Sequence, residues 1–433
     1  MKAVIMAGGK GTRLLELTKD ELPKPMMPVN GKPILEWQIE CLAANDITEI
    51  CLVIGHLGEK IKEYFGDGSG FGVSLIYYSE DVPLGTAGAL AHLKHFLVDD
   101  YFLLVYGDVI FDIDINRMEK FHKRKKCAAT LFVHPNSHPY DSDLVVLDSE
   151  DRVIGSDSKK NVRNYWYKNM VNAGFYIVSN ELIKNIPETG KTDLEKEILF
   201  CDYGIKAGIY GYVSTEYIKD AGTIDRIHRV EEDIKNGVVA AKNLSKPQKC
   251  VFLDRDGVLN KYVGLLSDID RLELEDTAVK AMSRLNTSQY LAIIITNQPV
   301  VARGLCSIEE VEEIHKKLET KLGENHVYAD DIFYCPHHPD KGYPEENPAY
   351  KIDCRCRKPK TGMLMTAAVK HNIDLTNSWF IGDTTVDIQT GVNAGMKTVL
   401  VKTGEAGGDG KYDVTPDFVA ENVLQAVESI LSS

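Results

Sequence analysis

Two aspartates one residue apart, Asp254 and Asp256, close the apolar run of VFLDRDG. At a strand end, side chains two apart share a face, so both carboxylates point the same way. One can attack phosphorus while the other handles protons. Further polar groups recur at the ends of apolar runs in the same half of the chain. YLAIIITNQ ends in Thr296 and Asn297. CRKPKTGM puts Lys358 just ahead of a helix start. FIGDTTVD ends in Asp383, with Asp387 one turn on. A second kind of phosphate chemistry is suggested near the start, where IMAGGKGTR follows an apolar run. Its glycines allow backbone N–H groups to approach and cradle phosphate oxygens. The spacing fits neither GxxxxGK[ST] nor GxGxxG, since position 14 is leucine.

A third group of residues suits a metal. CPHH at 335–338 and CRC at 354–356 give C-x-H and C-x-C. Three thiolates and one imidazole suit a closed, tetrahedral, structural Zn²⁺. The ligands are Cys335, Cys354 and Cys356 with a histidine, His337 or His338. The other six of the nine cysteines are scattered through apolar or mixed segments and read as packing residues. An odd count in a chain without a secretory leader speaks against a disulfide framework.

Several strings accompany the glycine loop. ELPKPMMPV holds Lys24 between prolines in a stiff segment. PLGTAGAL at 83–90 is a small-residue loop that opens a helix, where a flat base could lie against backbone. Asp108 ends the run LLVYGD, and IKDAGTIDR offers Asp220. Two carboxylates from separate strand ends could hold Mg²⁺ between phosphates.

These residues need scaffolds. The chain has 433 residues, which favours two domains. Residues 1–235 alternate short apolar runs (2–6, 50–54, 73–78, 101–106, 128–133, 171–179) with helical patterns (86–97, 114–125, 192–203). The alternation predicts an α/β domain with a largely parallel sheet. Residues 236–248 read as a linker. Residues 249–433 restart the alternation, with strands at 249–254, 290–296, 331–335, 378–383 and 397–401 and helices near 276–286, 307–321, 361–371 and 420–431. No apolar run reaches the ~20 residues that span a bilayer. The formal net charge of -14 argues against nucleic acid as a partner. A cytoplasmic enzyme acting on small molecules is expected, without membrane or nucleic-acid partners.

The ordered strings of the first half resemble the sugar nucleotidyltransferase family, which joins a sugar 1-phosphate to a nucleoside triphosphate and has a Rossmann-like fold. The resemblance implies that Gly8, Gly9, Gly11, Thr12 and Arg13 bind the triphosphate and that Lys24 neutralises the transferred phosphate. It places Gly85 and Thr86 at the base, and Asp108 and Asp220 on Mg²⁺. Asn172 and Gly174 of VNAG, with Glu195 and Lys196 of LEKE, would face the sugar phosphate. Members are often oligomeric, which leaves a homo-oligomer open. One departure is Glu16 in GTRLLELT, where the family has proline.

The second half resembles the haloacid dehalogenase-like phosphatases, a Rossmannoid family. The resemblance implies Asp254 as nucleophile and Asp256 as acid and base. Thr296 and Lys358 would hold the phosphoryl group. Mg²⁺ would sit on Asp254, the carbonyl of Asp256, and Asp383. Asp387 would support this shell or orient Lys358. Asn297, Arg303 and Arg357 would contact substrate. The zinc loop, with His337 as the family's ligand, is typical of the subfamily of heptose 1,7-bisphosphate and histidinol phosphatases. Here the departure is TNQPVVARG, with Pro299 and Val300, where the subfamily has TNQSGIARG.

Together the resemblances imply a bifunctional enzyme of nucleotide-activated heptose synthesis. It would remove the 7-phosphate of D-glycero-D-manno-heptose 1,7-bisphosphate, then join the 1-phosphate to a nucleotide from GTP. Three alternatives stand beside it: another sugar 1-phosphate such as mannose, a histidinol-phosphatase-like second half, or one half kept as a sugar-nucleotide-binding regulatory module.

Overall fold

The computed structural model describes residues 1–9, 21–342 and 345–433. The triphosphate-loop residues Gly11, Thr12 and Arg13, and Glu16, lie outside the described residues. The chain divides into two compact units. The first comprises Met1–His134, Asp143–Ser158 and Met170–Asn243. The second comprises Pro135–Ser142, Lys159–Asn169 and Leu244–Ser433. Residues 236–248 are not an open tether: Val238–Ala241 is a short helix with Val238 and Val239 buried.

In the first unit the strands run Val153–Asp157, Leu144–Leu147, Val171–Ser179, Tyr101–Tyr106, Ala3–Met6, Glu49–Ile54, Ser74–Ser79. Ala129–His134 and Ile209–Val213 branch off Val171–Ser179. Alternate residues of the first strand enter two different cores, Ala3 and Ile5 on one face and Val4 on the other. A strand apolar on both faces must be covered on both, which is why it sits mid-sheet. Tyr101–Tyr106, Ala3–Met6, Glu49–Ile54 and Ser74–Ser79 form a continuous parallel block, and Ala129–His134 and Ile209–Val213 a parallel pair. Val171–Ser179 runs antiparallel to its neighbours, so the sheet is mixed rather than largely parallel.

The helix expected over 86–97 is only a 3₁₀ turn, Gly88–His92. Ahead of this turn the Ala87 N–H donates to the Thr192 carbonyl, 3.0 Å. The pattern over 192–203 breaks into a π-helix, Leu194–Leu199, and an α-helix, Asp202–Ala207.

The second unit has six strands, all parallel, in the order Asp331–Cys335, Tyr290–Asn297, Lys249–Leu253, Trp379–Gly382, Lys397–Val401, Phe418–Ala420. In chain order this is 3-2-1-4-5-6, the doubly wound arrangement. Val251 and Leu253 enter one core and Cys250 and Phe252 the other.

Candidate active sites

In an open α/β sheet, ligands bind beyond the carboxyl ends of strands where the winding reverses. In the second unit that point lies between Lys249–Leu253 and Trp379–Gly382. The next residue after the first strand is Asp254, and after the other Asp383. Carboxylate oxygens of Asp254, Asp383 and Asp387 lie within 4.8 Å of one another, all three residues buried. Lys358 is the cation among them, its Nζ 2.8 Å from Asp254 Oδ1 and 2.6 Å from Asp387 Oδ1. It also donates to the Ile295 carbonyl, 3.0 Å. Asp387 has a second task, because its Oδ2 accepts from the Thr384 N–H (3.2 Å) and hydroxyl (2.6 Å), completing the capping box of its own helix, Thr385–Asn393.

Burial pushes the Asp254 carboxyl up to about 7, despite the opposing charge of Lys358. Burial, then Asp387 and Asp254, push Asp383 up to about 8. One lysine does not balance three buried carboxylates, and this donor set suits a hard divalent cation. Backbone closes round Asp383. Gly257 (φ 77°) and Gly404 (φ 63°) approach so closely that a Cβ on either would overlap its carboxylate.

Asp256 is held differently. Its carboxylate accepts from Arg255 Nη2 (2.9 and 3.0 Å), Asn260 Nδ2 (2.9 Å) and Gln298 Nε2 (2.9 Å). Arg255 is fully buried and its Nη1 lies 3.1 Å from His315 Nε2. Burial, then the Arg255 charge, push His315 well down, so it is a neutral acceptor. Thr296 is buried, its Oγ1 accepting from Gln298, 2.9 Å. Asn297 brackets the Lys358 backbone, its Oδ1 3.0 Å from that N–H. Arg303 and Arg357 line the same cavity of about 630 Å³ as Pro299 and Val300.

The four metal-type ligands converge. Cys335, Cys354 and Cys356 Sγ atoms lie 3.2–3.5 Å apart, and His337 Nδ1 is 3.3 Å from Cys356 and 3.6 Å from Cys335. His338 turns away and accepts from the Asp340 N–H, 3.2 Å. A tetrahedral ion with Zn–S of about 2.3 Å sets sulfurs about 3.8 Å apart, so a small outward movement of these thiols would seat it. No disulfide forms among them.

In the first unit the parallel block has chain order 3-2-1-4, and its reversal lies between Ala3–Met6 and Tyr101–Tyr106. A cavity of about 380 Å³ opens there, lined by Gly8, Gly9, Lys24, Gly85, Thr86 and Asp108 among others. Lys24 pairs with Asp108. Asp220 reaches the same place because its strand, Tyr217–Asp220, pairs antiparallel with Val109–Asp112, setting Asp220 opposite Val109. Its carboxylate is paired with Arg226. Gly85 (φ 85°) packs against the Thr192 backbone, leaving no room for a Cβ. Thr86 Oγ1 accepts from the Leu194 N–H, 2.7 Å.

Beside this cavity Glu195 Oε1 accepts from Asn172 Nδ2 (2.9 Å) and the Tyr176 hydroxyl (2.8 Å), with the Tyr106 hydroxyl at 3.3 Å. Burial pushes the Glu195 carboxyl up. Gly174 packs on the Tyr106 ring. Lys196 is not brought in: it is exposed and lies 4.0 Å from Asp193. Sequence reasoning missed Glu80, Tyr106 and Tyr176 here, and Arg255, Asn260, Gln298, Tyr262 and Glu405 in the second unit. Arg255 and Gln298 sit inside strings that already stood out, DRDG and TNQ. Nothing local marks Tyr262 or Glu405.

Two doubly wound units, each with a phosphate-type site at its switch point, define an enzyme with two phosphorus-handling centres. The nucleotidyl transferase family model matches residues 2–237, and the HAD-hydrolase-like model residues 355–426. A mannose-1-phosphate guanylyltransferase of Mycobacterium tuberculosis is 33% identical over 245 residues, 56% of this chain and 67% of the relative. A D-glycero-beta-D-manno-heptose-1,7-bisphosphate 7-phosphatase of Haemophilus influenzae is 37% identical over 178 residues, 41% of this chain and 93% of the relative. A solved D,D-heptose 1,7-bisphosphate phosphatase from B. bronchiseptica, complexed with magnesium and phosphate, is 30% identical. It covers 43% of this chain and 99% of its own, with a TM-score of 0.38. The chain belongs to the nucleotidyl transferase family and carries, fused behind that domain, a HAD-like phosphatase domain of the heptose-bisphosphate phosphatase kind. It is both a nucleotidyltransferase and a phosphatase. Among the described residues no helix is long and apolar enough to cross a membrane.

Proposed function

We propose that the two domains act in series on one sugar in the cytoplasm. The second removes the 7-phosphate of D-glycero-D-manno-heptose 1,7-bisphosphate. The first joins the remaining 1-phosphate to the nucleotidyl group of GTP. The observation that carries this is the Asp254–Lys358–Asp383–Asp387 cluster in a chain that also matches, over nearly the whole relative, a heptose-bisphosphate 7-phosphatase. A phosphatase that leaves a sugar 1-phosphate supplies the acceptor that a sugar nucleotidyltransferase uses.

In the phosphatase, an Asp254 oxygen attacks the 7-phosphorus and the sugar oxygen leaves, taking a proton from Asp256. Asp256, now a carboxylate held by Arg255, Asn260 and Gln298, then accepts a proton from water. That water attacks the aspartyl phosphate and frees inorganic phosphate. Thr296 and Lys358 hold the phosphoryl oxygens. Asp254, Asp383 and the Asp256 carbonyl would hold Mg²⁺, which supplies charge neutralisation at the phosphoryl group. Cys335, His337, Cys354 and Cys356 would hold Zn²⁺, which pins the loop leading into Arg357 and Lys358.

In the transferase, a sugar-phosphate oxygen attacks the α-phosphorus in line and pyrophosphate leaves. Lys24 and the N–H groups of Gly8 and Gly9 sit where that charge develops, with Asp108 and Asp220 as the carboxylates for Mg²⁺. Glu195, Asn172 and Gly174 face the sugar phosphate, and Gly85 and Thr86 the base. A second reading, mannose 1-phosphate as acceptor, is favoured by the guanylyltransferase relative. The test offers α- and β-heptose 1,7-bisphosphate, α- and β-heptose 1-phosphate and mannose 1-phosphate with each of four nucleoside triphosphates. GDP-heptose from the bisphosphate, abolished by Asp254→Asn but restored by added heptose 1-phosphate, is expected. Nucleotide sugar from mannose 1-phosphate alone refutes the heptose reading.

A further inference from the structure

The phosphatase cavity is lined on one flank by Arg303 and Arg357, with Asp340 and Asp353, and on the other by Glu405 and Asp409, with Lys411, and the sheet order sets the two apart. Arg303 follows the strand Tyr290–Asn297, and Arg357 lies beyond Asp331–Cys335. Both strands lie on one side of the central pair that ends in Asp254 and Asp383. Glu405 follows Lys397–Val401, on the other side. It is fixed by its own backbone, since the Glu405 N–H donates to Asp383 Oδ2, 2.8 Å. Its carboxylate Oε1 accepts from the Tyr262 hydroxyl, 2.5 Å. Tyr262 comes from the loop after the first strand, so the pair bridges two loops beside the reacting centre. Beside that carboxylate the phenol is pushed up to about 12, so it remains the donor.

A bisphosphorylated sugar carries two similar heads, and the enzyme must choose which one reaches Asp254. We infer that the Tyr262–Glu405 pair sets this choice. Glu405 accepts hydrogen bonds from sugar hydroxyls on its flank and repels a phosphate there, so the retained phosphate lies on the Arg303–Arg357 flank. A carboxylate is an acceptor only and suits hydroxyl donors. A phosphate dianion near it meets like-charge repulsion. The inference rests on the reading of the substrate as a sugar bisphosphate.

Glu405→Gln and Tyr262→Phe in the full chain test it, with heptose 1,7-bisphosphate and p-nitrophenyl phosphate as parallel substrates. The ratio of the two kcat/KM values is independent of how much of a variant folds. It should fall about tenfold in each variant, through KM, as expected for a lost hydrogen bond to a charged group. Phosphorus NMR of the Glu405→Gln product should show heptose 7-phosphate beside heptose 1-phosphate. Unchanged ratios with a single product overturn the inference while the substrate reading stands. If the wild type cleaves p-nitrophenyl phosphate but not the bisphosphate, the substrate reading fails and takes the inference with it.

Discussion

Lys358 is the sole side-chain cation within reach of Asp254 and Asp387 among the described contacts, and its removal has a calculable effect. Its Nζ lies 2.8 Å from one buried carboxylate and 2.6 Å from another. In Lys358→Met the stem volume is nearly kept and the charge is lost. Breaking a buried pair from one side costs about 3–5 kcal/mol, because the partner is left charged and desolvated. For a domain of this size, each kcal/mol shifts the melting point by about 2–4 °C. The phosphatase transition should therefore fall by roughly 6–20 °C in scanning calorimetry in the presence of a chelator. Activity should fall further than stability. The Asp254 carboxyl already stands at about 7 with the lysine present. Without it, the proton is held more tightly and fewer chains carry an ionised nucleophile at neutral pH. A loss of at least about 100-fold in phosphatase kcat/KM is expected. Adding Asp387→Asn removes one stranded charge, so the double variant should regain part of the melting loss and none of the activity. Lys358→Met that melts with the wild type and retains its kcat/KM would refute this account of the cluster.

The raised carboxyls of Asp254 and Asp383 give a pH dependence of stability. Their folded values, about 7 and about 8, lie above the unfolded carboxylate range. The folded form then binds more protons, so metal-free stability should fall as pH rises from about 4 to about 8. Mg²⁺ should raise the melting point more at pH 8 than at pH 6, and equal gains contradict it. The thiolate cluster should carry about one Zn²⁺ per chain by elemental analysis. Cys354→Ser should release it and lower phosphatase more than transferase activity; full zinc retention argues against this ligand set. Gly257→Ala places a Cβ on the Asp383 carboxylate from a left-handed backbone. Phosphatase activity should drop by about 100-fold with nucleotidyl transfer retained, read in paired assays. Glu195→Gln should raise KM for the sugar phosphate about tenfold, and an unchanged KM removes Glu195 from that subsite.

The parts that sequence made legible share a physical cause. Strands such as Tyr101–Tyr106 and Val171–Ser179 are short apolar runs buried on both faces, so composition alone marks them. Asp254, Asp383 and Lys358 were legible because each abuts a strand or helix end. That Cys335, Cys354 and Cys356 gather with a histidine was legible because paired short spacings are rarely accidental, and the family resemblance pointed to His337. What escaped depends on contacts distant in sequence. That 86–97 forms only the turn Gly88–His92, with the Ala87 N–H bonded to Thr192 a hundred residues on, is not written in the local pattern. The antiparallel course of Val171–Ser179 follows from pairing partners that periodicity does not encode. Tyr262 and Glu405 are ordinary surface-type residues until the loops after strands one and five of the second sheet bring them together.

The two domains solve related problems with a common plan, and one residue position separates them. In both, the sheet winds outward from a first strand and reverses beside it, so that strand's last residues face the reacting phosphorus. In the first unit that strand is followed by Ala7, whose N–H is committed to the Val53 carbonyl, and by Gly8 and Gly9, which bring backbone and no nucleophile. Such a site can only bind and polarise, so the attacking oxygen must come from the second substrate. In the second unit the corresponding residue is Asp254, whose carboxylate is the proposed attacking group. A covalent step then becomes available, and with it the need for Asp256 to manage protons twice. The same comparison explains the charge around each site. The first site gathers two carboxylates, Asp108 and Asp220, each paired with one cation, Lys24 and Arg226. A nucleophilic aspartate beside Asp383 and Asp387 concentrates negative charge, which Lys358 and a divalent cation must offset before a phosphate can approach.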